Sequence, residues 1–188
     1  MAAEYLVSSL QPLSLDGPPP YAAEQFLGLC RSQLTEADVV AIEELLVSVP
    51  GAAASAPGDV PSGHHTLARW RDLDAQLRNA IAVERARLRG QDAARWRRPV
   101  EGCSLFWANR AAAAFQEKDP ARRERLLDQV RWDAAGELTP PAAPLSKEAV
   151  FTYAIRLAIV LCRAARDTEA GNGVFNRLTA ATKIEFKE

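Results

Sequence analysis

The stretch "EAVFTYAIRLAIVLCRAA", residues 148 to 165, constrains the fold more than any other part of this chain. It is apolar enough to test as a membrane helix, yet it carries Arg156 and Arg163. Each arginine near a bilayer centre costs about 2.5 to 3.5 kcal/mol on insertion, which cancels the signal. The segment therefore reads as a helix buried inside protein. At about 100° per residue, Thr152, Arg156, Arg163 and Asp167 share one narrow polar strip, and nearly everything else is Val, Phe, Ile, Leu or Ala. A helix of that pattern must be covered on most sides, so the remaining chain has to supply the cover.

Helical periodicity supplies it. "EYLVSSL" near the start is a short apolar element that reads more readily as helix than strand and is closed by Pro12. "DGPPP" (16 to 20) is an extended turn leading into "YAAEQFLGLCRSQL", where Phe26, Leu27, Leu29 and Cys30 form an apolar stripe. Thr35 and Asp38 approximate a capping box for "EADVVAIEELLVSV", which completes a helical hairpin. "PGAAASAPGDVPSGHH" (50 to 65) is a linker or long loop. Beyond it the pattern predicts a long helix over about 66 to 89, stopped by Gly90, and a short turn at "DAARWRRP". A helix at "CSLFWANRAAAAFQEK" follows, then one opening at Asp119 and Pro120, then the buried helix capped by Ser146. A last helix follows the glycine break in "EAGNGVFNRLTAA". No alternating strand pattern of useful length is present. The expected fold is all-α, a helical bundle of about seven helices: residues 1–49 as an N-terminal hairpin, 50–65 as the linker, 66–188 as the bundle domain.

At 188 residues the chain can bury a core without disulfides or metal. Its three cysteines (Cys30, Cys103, Cys162) are far apart and odd in number, which argues against a disulfide framework and against zinc. No basic n-region or long apolar run opens the sequence, so the expectation is a cytoplasmic chain without a span. The net charge of −1 gives no global pull toward nucleic acid or anionic lipid.

That near-neutral total hides two opposed surfaces. Residues 69 to 98 hold nine arginines against four acids, whereas residues 1 to 50 hold one basic and seven acidic residues. In the long helix Leu67, Trp70, Leu73, Leu77, Ile81 and Leu88 fall on one side, and Arg71, Arg78, Arg85 and Arg89 form a second stripe beside them. A solvated flank, with stems covering the core and heads paired to acids such as Asp74, accounts for such a stripe. So does docking of the acidic N-terminal half onto it. The functional reading makes these four arginines the contact for an acidic partner protein.

Catalytic patterns are scarce. His64 and His65 are adjacent in the Pro/Gly-rich stretch, without the ligand spacing of a metal site. No phosphate-binding glycine loop or nucleophile elbow is present, and "GNG" (171 to 173) has no preceding strand. Carboxylates are spread over helix surfaces, with no apolar stretch suggesting two buried together. Trp70 and Trp107 sit at apolar wheel positions and read as core, not as a base-stacking platform with Trp96 and Trp132. Ala111 to Ala114 allow another helix to approach closely. The expectation is a non-enzymatic protein without cofactor or metal and with no nucleic-acid partner.

Three phrases carry a resemblance. "EYLVSSLQPLSLDGPPPYAAEQFLGLC" (4 to 30) resembles the opening of an uncharacterised bacterial family, a domain of unknown function. That family begins with an aromatic-Leu-Val-Ala/Ser-Ser-Leu-Pro phrase, then a proline pair and a Glu-Phe-Leu helix ending in Cys. "LRNAIAVERARLRGQD" (77 to 92) is similar to its Leu-Arg-Asn-Ala segment, and "RLLDQVRWD" (125 to 133) to its Leu-Leu-Asp…Arg-Trp phrase. Gln11 before Pro12, where the family proline follows Leu directly, and the Ala/Pro-rich linker depart from the pattern. The resemblance implies a gene set among V-type rotary ATPase subunits and transfers no catalytic residues. It also implies a partial likeness to the longer central-stalk cap of those ATPases, an all-helical socket joining the rotor shaft to the membrane ring. The implied role is a non-catalytic subunit or assembly factor contacting ATPase subunits of the central stalk or membrane ring, peripheral at the inner membrane through them, in an oligomeric state left open. A free-standing helical binding module for an anionic ligand or nucleic acid, and an enzyme of unrecognised type, stay open as alternatives.

Overall fold

The structure, a computed structural model, describes residues 2–48, 64–100 and 104–166 together with Gly173 and Arg177. Among these residues there are seven α-helices and no strand: α1 (Ala2–Ser9), α2 (Ala23–Arg31), α3 (Glu36–Ser48), α4 (His65–Leu88), α5 (Leu105–Ala114), α6 (Pro120–Gly136) and α7 (Lys147–Ala164). One 3-10 turn, Ala94–Trp96, lies between α4 and α5. "EYLVSSL" is helix, as its composition favoured. The linker at 50 to 65, apart from His64 and His65, and the last predicted helix, apart from Gly173 and Arg177, lie outside the described residues.

Local chemistry sets several helix ends. Asp119 accepts hydrogen bonds from the Ala121 and Arg122 amides at 2.8 and 3.5 Å, with Pro120 preset for the first helical position. Thr35 Oγ1 accepts from the Asp38 amide at 3.3 Å to open α3. At the end of α4 the Gln91 amide reaches back to the Ala86 carbonyl and the Gly90 amide to that of Arg87. This pair of bonds needs Gly90 at φ 62°, where any other residue would be strained. One expectation fails: Ser146 occupies the cap position of α7, but its side chain caps no amide.

The apolar segment from 148 onward forms α7, and it is the central helix. It packs against α1, α2, α3, α4 and α6. Val150, Phe151, Ala154, Ile155, Leu157, Ala158, Ile159 and Val160 are all buried, and most of them share one core with Leu6, Phe26, Ile42, Leu45, Leu67 and Trp70. Burying each large side chain contributes about 1.5 to 3 kcal/mol. The N-terminal hairpin and α7 thus share a single core. A smaller cluster of Ile81, Ala111, Ala114, Phe115 and Leu127 joins α4, α5 and α6. The alanines of α5 are what let it lie close.

The polar strip of α7 faces α6. Thr152 donates to the Ala135 carbonyl at 3.0 Å, Arg156 Nε donates to the Trp132 carbonyl at 3.2 Å, and Arg163 reaches Asp128 at 3.5 Å. Numbers rise along α7 as they fall along α6, so the two helices run antiparallel in a register fixed by three polar contacts. The Arg156 guanidinium also lies 4.8 Å from the Trp132 ring centroid. Burial pushes the Arg156 guanidinium below its usual range, and Asp133 partly offsets that.

Asp38, only 3 % exposed, ties three helices together. Its carboxylate accepts from the Thr35 hydroxyl at 2.6 Å and Lys147 Nζ at 3.0 Å, and meets His64 Nε2 at 3.0 Å. The His64 ring stacks on Phe151 with centroids 4.3 Å apart. Burial raises this carboxyl, but the Thr35, Lys147 and His64 bonds outweigh burial and hold it below the ordinary carboxylate range. A carboxyl with a lower pKa folded than unfolded stabilises the fold above its unfolded value and loses that contribution as pH falls through its folded value. Melting temperature should accordingly stay level from neutral pH to about pH 5 and fall below it. Asp38→Asn should cost about 1 to 3 kcal/mol at pH 7 and flatten the acid limb, read by thermal melts across pH.

Candidate functional site

Arginines on α4 and α6 build the most charged surface of the described residues. The long helix places the four predicted arginines along one edge, but the fold divides them. Arg71 turns toward α3 and pairs with Glu44, a contact between the basic helix and the acidic N-terminal half. Arg78 pairs with Asp74 on its own helix, as the four-residue spacing anticipated. Arg85 reaches Glu124 of α6 at 3.4 Å. Arg89 caps the end of α4 beside Leu88 and Phe115.

Arg78 and Arg85 share an open groove of about 610 Å³ with Ile81, Glu124, Arg131 and Arg166. Two smaller hollows of about 230 and 300 Å³ continue it past Arg85 and Arg89, one toward Phe115 and Arg123, the other toward Trp96. The structure therefore assembles Arg78, Arg85 and Arg89 along one trough and sets Arg71 apart from it.

Behind the groove lies an ion network that helical periodicity did not announce. Asp128 is 3 % exposed and Arg131 6 % exposed, both on the buried face of α6. Arg131 Nη1 holds one Asp128 oxygen at 3.1 Å, while Arg166 and Arg163 hold the other at 2.9 and 3.5 Å. Arg163 also reaches Asp16 at 3.2 Å, and Asp16 accepts from Arg125 Nε at 3.1 Å. The Arg125 hydrogen bond is the main cause holding the Asp16 carboxyl below its usual range. The expectation of carboxylates confined to helix surfaces is thus corrected: Asp38 and Asp128 are buried, each among cations. A signal was available. Leu127, Val130 and Ala134 make an apolar stripe on α6, and Asp128 and Arg131 sit within it three residues apart.

The remaining candidates fall into structural roles. Trp70 and Trp107 are core; Trp132 lies beneath Arg156, and Trp96 is 44 % exposed beside Arg95. Among the described residues no group of His, Cys, Asp and Glu is placed to hold a metal, and no helix is long and apolar enough to cross a membrane. Cys30 is buried and Cys162 partly so; burial pushes the Cys30 thiol up to about 12. Cys103 lies outside the described residues.

Comparison of the chain with protein-family models, with curated proteins and with solved structures gives no match.

The geometry separates two kinds of arginine contact. Arg85 and Glu124 are both well exposed, and such pairs contribute about 0 to 1 kcal/mol. Arg85→Glu should therefore shift urea midpoints little. Asp128→Ala strands Arg131 in a low-dielectric interior and should cost about 3 to 5 kcal/mol in the same measurement.

Proposed function

We propose that this chain is a non-catalytic, all-helical subunit or assembly factor of a bacterial V-type rotary ATPase. It docks on subunits of the central stalk or membrane ring through the arginine edge of α4, with Arg78, Arg85 and Arg89 as the contact, while Arg71, the fourth arginine of the stripe, is engaged by Glu44 apart from the trough. In that role it works at the cytoplasmic face of the inner membrane, held there by the ATPase.

One observation carries the reading. The three phrases that resemble the ATPase-linked family are scattered in sequence but meet in one region of the fold. The first contributes Asp16, the second Arg78, Arg85 and Arg89, and the third Arg125, Asp128 and Arg131. A resemblance confined to helix-forming patterns would be expected to fall on the core of α7, which none of the phrases includes. Besides core positions such as Phe26, Leu77 and Leu127, they supply a charged trough and the network that supports it. Arginine suits such a contact because its planar fork makes paired hydrogen bonds to carboxylates.

The test is recovery of partners. The tagged protein expressed from its own genome, purified in mild detergent with the tag at either end, should bring down V-type ATPase subunits. Arg85→Glu combined with Arg89→Glu should lose them through like-charge repulsion while melting almost as the wild type does. Recovery of no ATPase subunit from either tagged form would defeat the assignment. An unchanged yield from the double variant would move the contact off α4.

A further inference from the structure

We infer that the trough between α4 and α6 is a binding site for an extended acidic segment of a partner polypeptide, with Arg131 and Arg166 as its inner contacts. The inference rests on the docking reading above and specifies what docks and where.

Three observations converge on it. The first is charge. Asp16 and Asp128 are shared among four guanidiniums, those of Arg125, Arg131, Arg163 and Arg166, so two positive charges are left over among the described residues. Arg166 and Arg131 carry that excess to the groove, where Glu124 is already engaged by Arg85. The second is an unmet hydrogen bond. Arg131 is more than nine-tenths buried and lines the groove, and its Nε has no hydrogen-bond partner. A buried donor left unpaired costs about 1 to 3 kcal/mol, which a carboxylate entering the groove recovers once the Arg131 side chain shifts to present its Nε.

The third is shape. The trough follows α4 from Arg78 to Arg89, eleven residues or about 16 Å at the helical rise per residue. A single phosphate is too small to engage both ends, whereas about five residues of extended chain span that length. Apolar side chains line the trough between the arginines, Ile81 and Pro120 in the groove and Leu88 and Phe115 beyond. Such a lining accommodates the methylene stems of glutamate better than it does a sugar–phosphate backbone.

A deca-glutamate peptide titrated into the purified full-length protein by calorimetry at low salt tests the site. Binding should be saturable and should weaken as salt rises. Arg166→Gln should weaken it by roughly tenfold, the usual contribution of one charge-assisted hydrogen bond, measured on protein whose circular dichroism shows it folded, since Arg166 also holds the buried Asp128 at 2.9 Å. Arg131→Lys should weaken it comparably, since lysine keeps the charge but lacks the Nε donor. Arg31→Gln, a half-exposed site on α2, should bind as the wild type does. Absence of binding, or variants at Arg166 and Arg131 that bind normally, overturns the inference. Pyrophosphate bound as tightly as the peptide would instead indicate a compact oxyanion site, and tighter binding of oligothymidylate a nucleic-acid groove; either overturns it. Peptide binding without recovery of ATPase subunits leaves the site standing and removes only the partner assigned to it. Recovery of those subunits without peptide binding removes the site and leaves the partner.

Discussion

Burying the Asp128 carboxylate obliges the protein to surround it with cations, and the rest of the structure is arranged around that demand. An isolated charge in a helical interior is costly, so partners must come from wherever the fold can bring them. Arg131 comes from the next turn of α6, while Arg163 and Arg166 come from the end of α7 and just beyond. Arg163 then draws in Asp16 from the loop after α1. One buried charge thus fixes the register of α6 against α7 and pins the N-terminal segment over both.

Register matters here because α7 is apolar on nearly all sides. A helix of that kind can rotate or slide among equivalent greasy contacts unless polar groups select one arrangement. Thr152, Arg156 and Arg163 make that selection by meeting Ala135, Trp132 and Asp128 in turn. Gly136 belongs to the same device: a Cβ there would stand 2.7 Å from the Arg156 guanidinium. Bare backbone at that position lets the arginine lie against α6 and over Trp132.

The parts of this fold legible in the sequence are those decided by neighbours a few residues apart. Asp119 with Pro120, Gly90 after the last turn of α4, and Thr35 ahead of α3 are local signals, and each acts where its spacing placed it. Periodicity likewise identified α7 and its polar strip. What faced that strip could not be read, because α6 meets it across a chain separation that no periodicity encodes. The site divides in the same way. Arg78, Arg85 and Arg89 followed from the wheel of one helix, but their joining with Arg131 and Arg166 depends on how α4 and α6 pack. Arg71 shows the converse, since the same wheel position two turns earlier meets α3 instead. Ser146 shows that a residue suited to capping does not cap when its hydroxyl lacks the required orientation.

Asp38 has a meaning for how the chain becomes itself. The residue sits in the first turn of α3, His64 immediately precedes α4, and Lys147 begins α7, so the positive ends of three helix dipoles converge on one carboxylate. Its partners lie 26 and 109 residues further along. During synthesis the N-terminal hairpin precedes α7, bearing an acid that water must solvate until Lys147 has been made. The hairpin's own helices can form early, but closing them into a dry core must wait for α7. Among the described residues, α7 is the last helix made, and it is the one that completes the first.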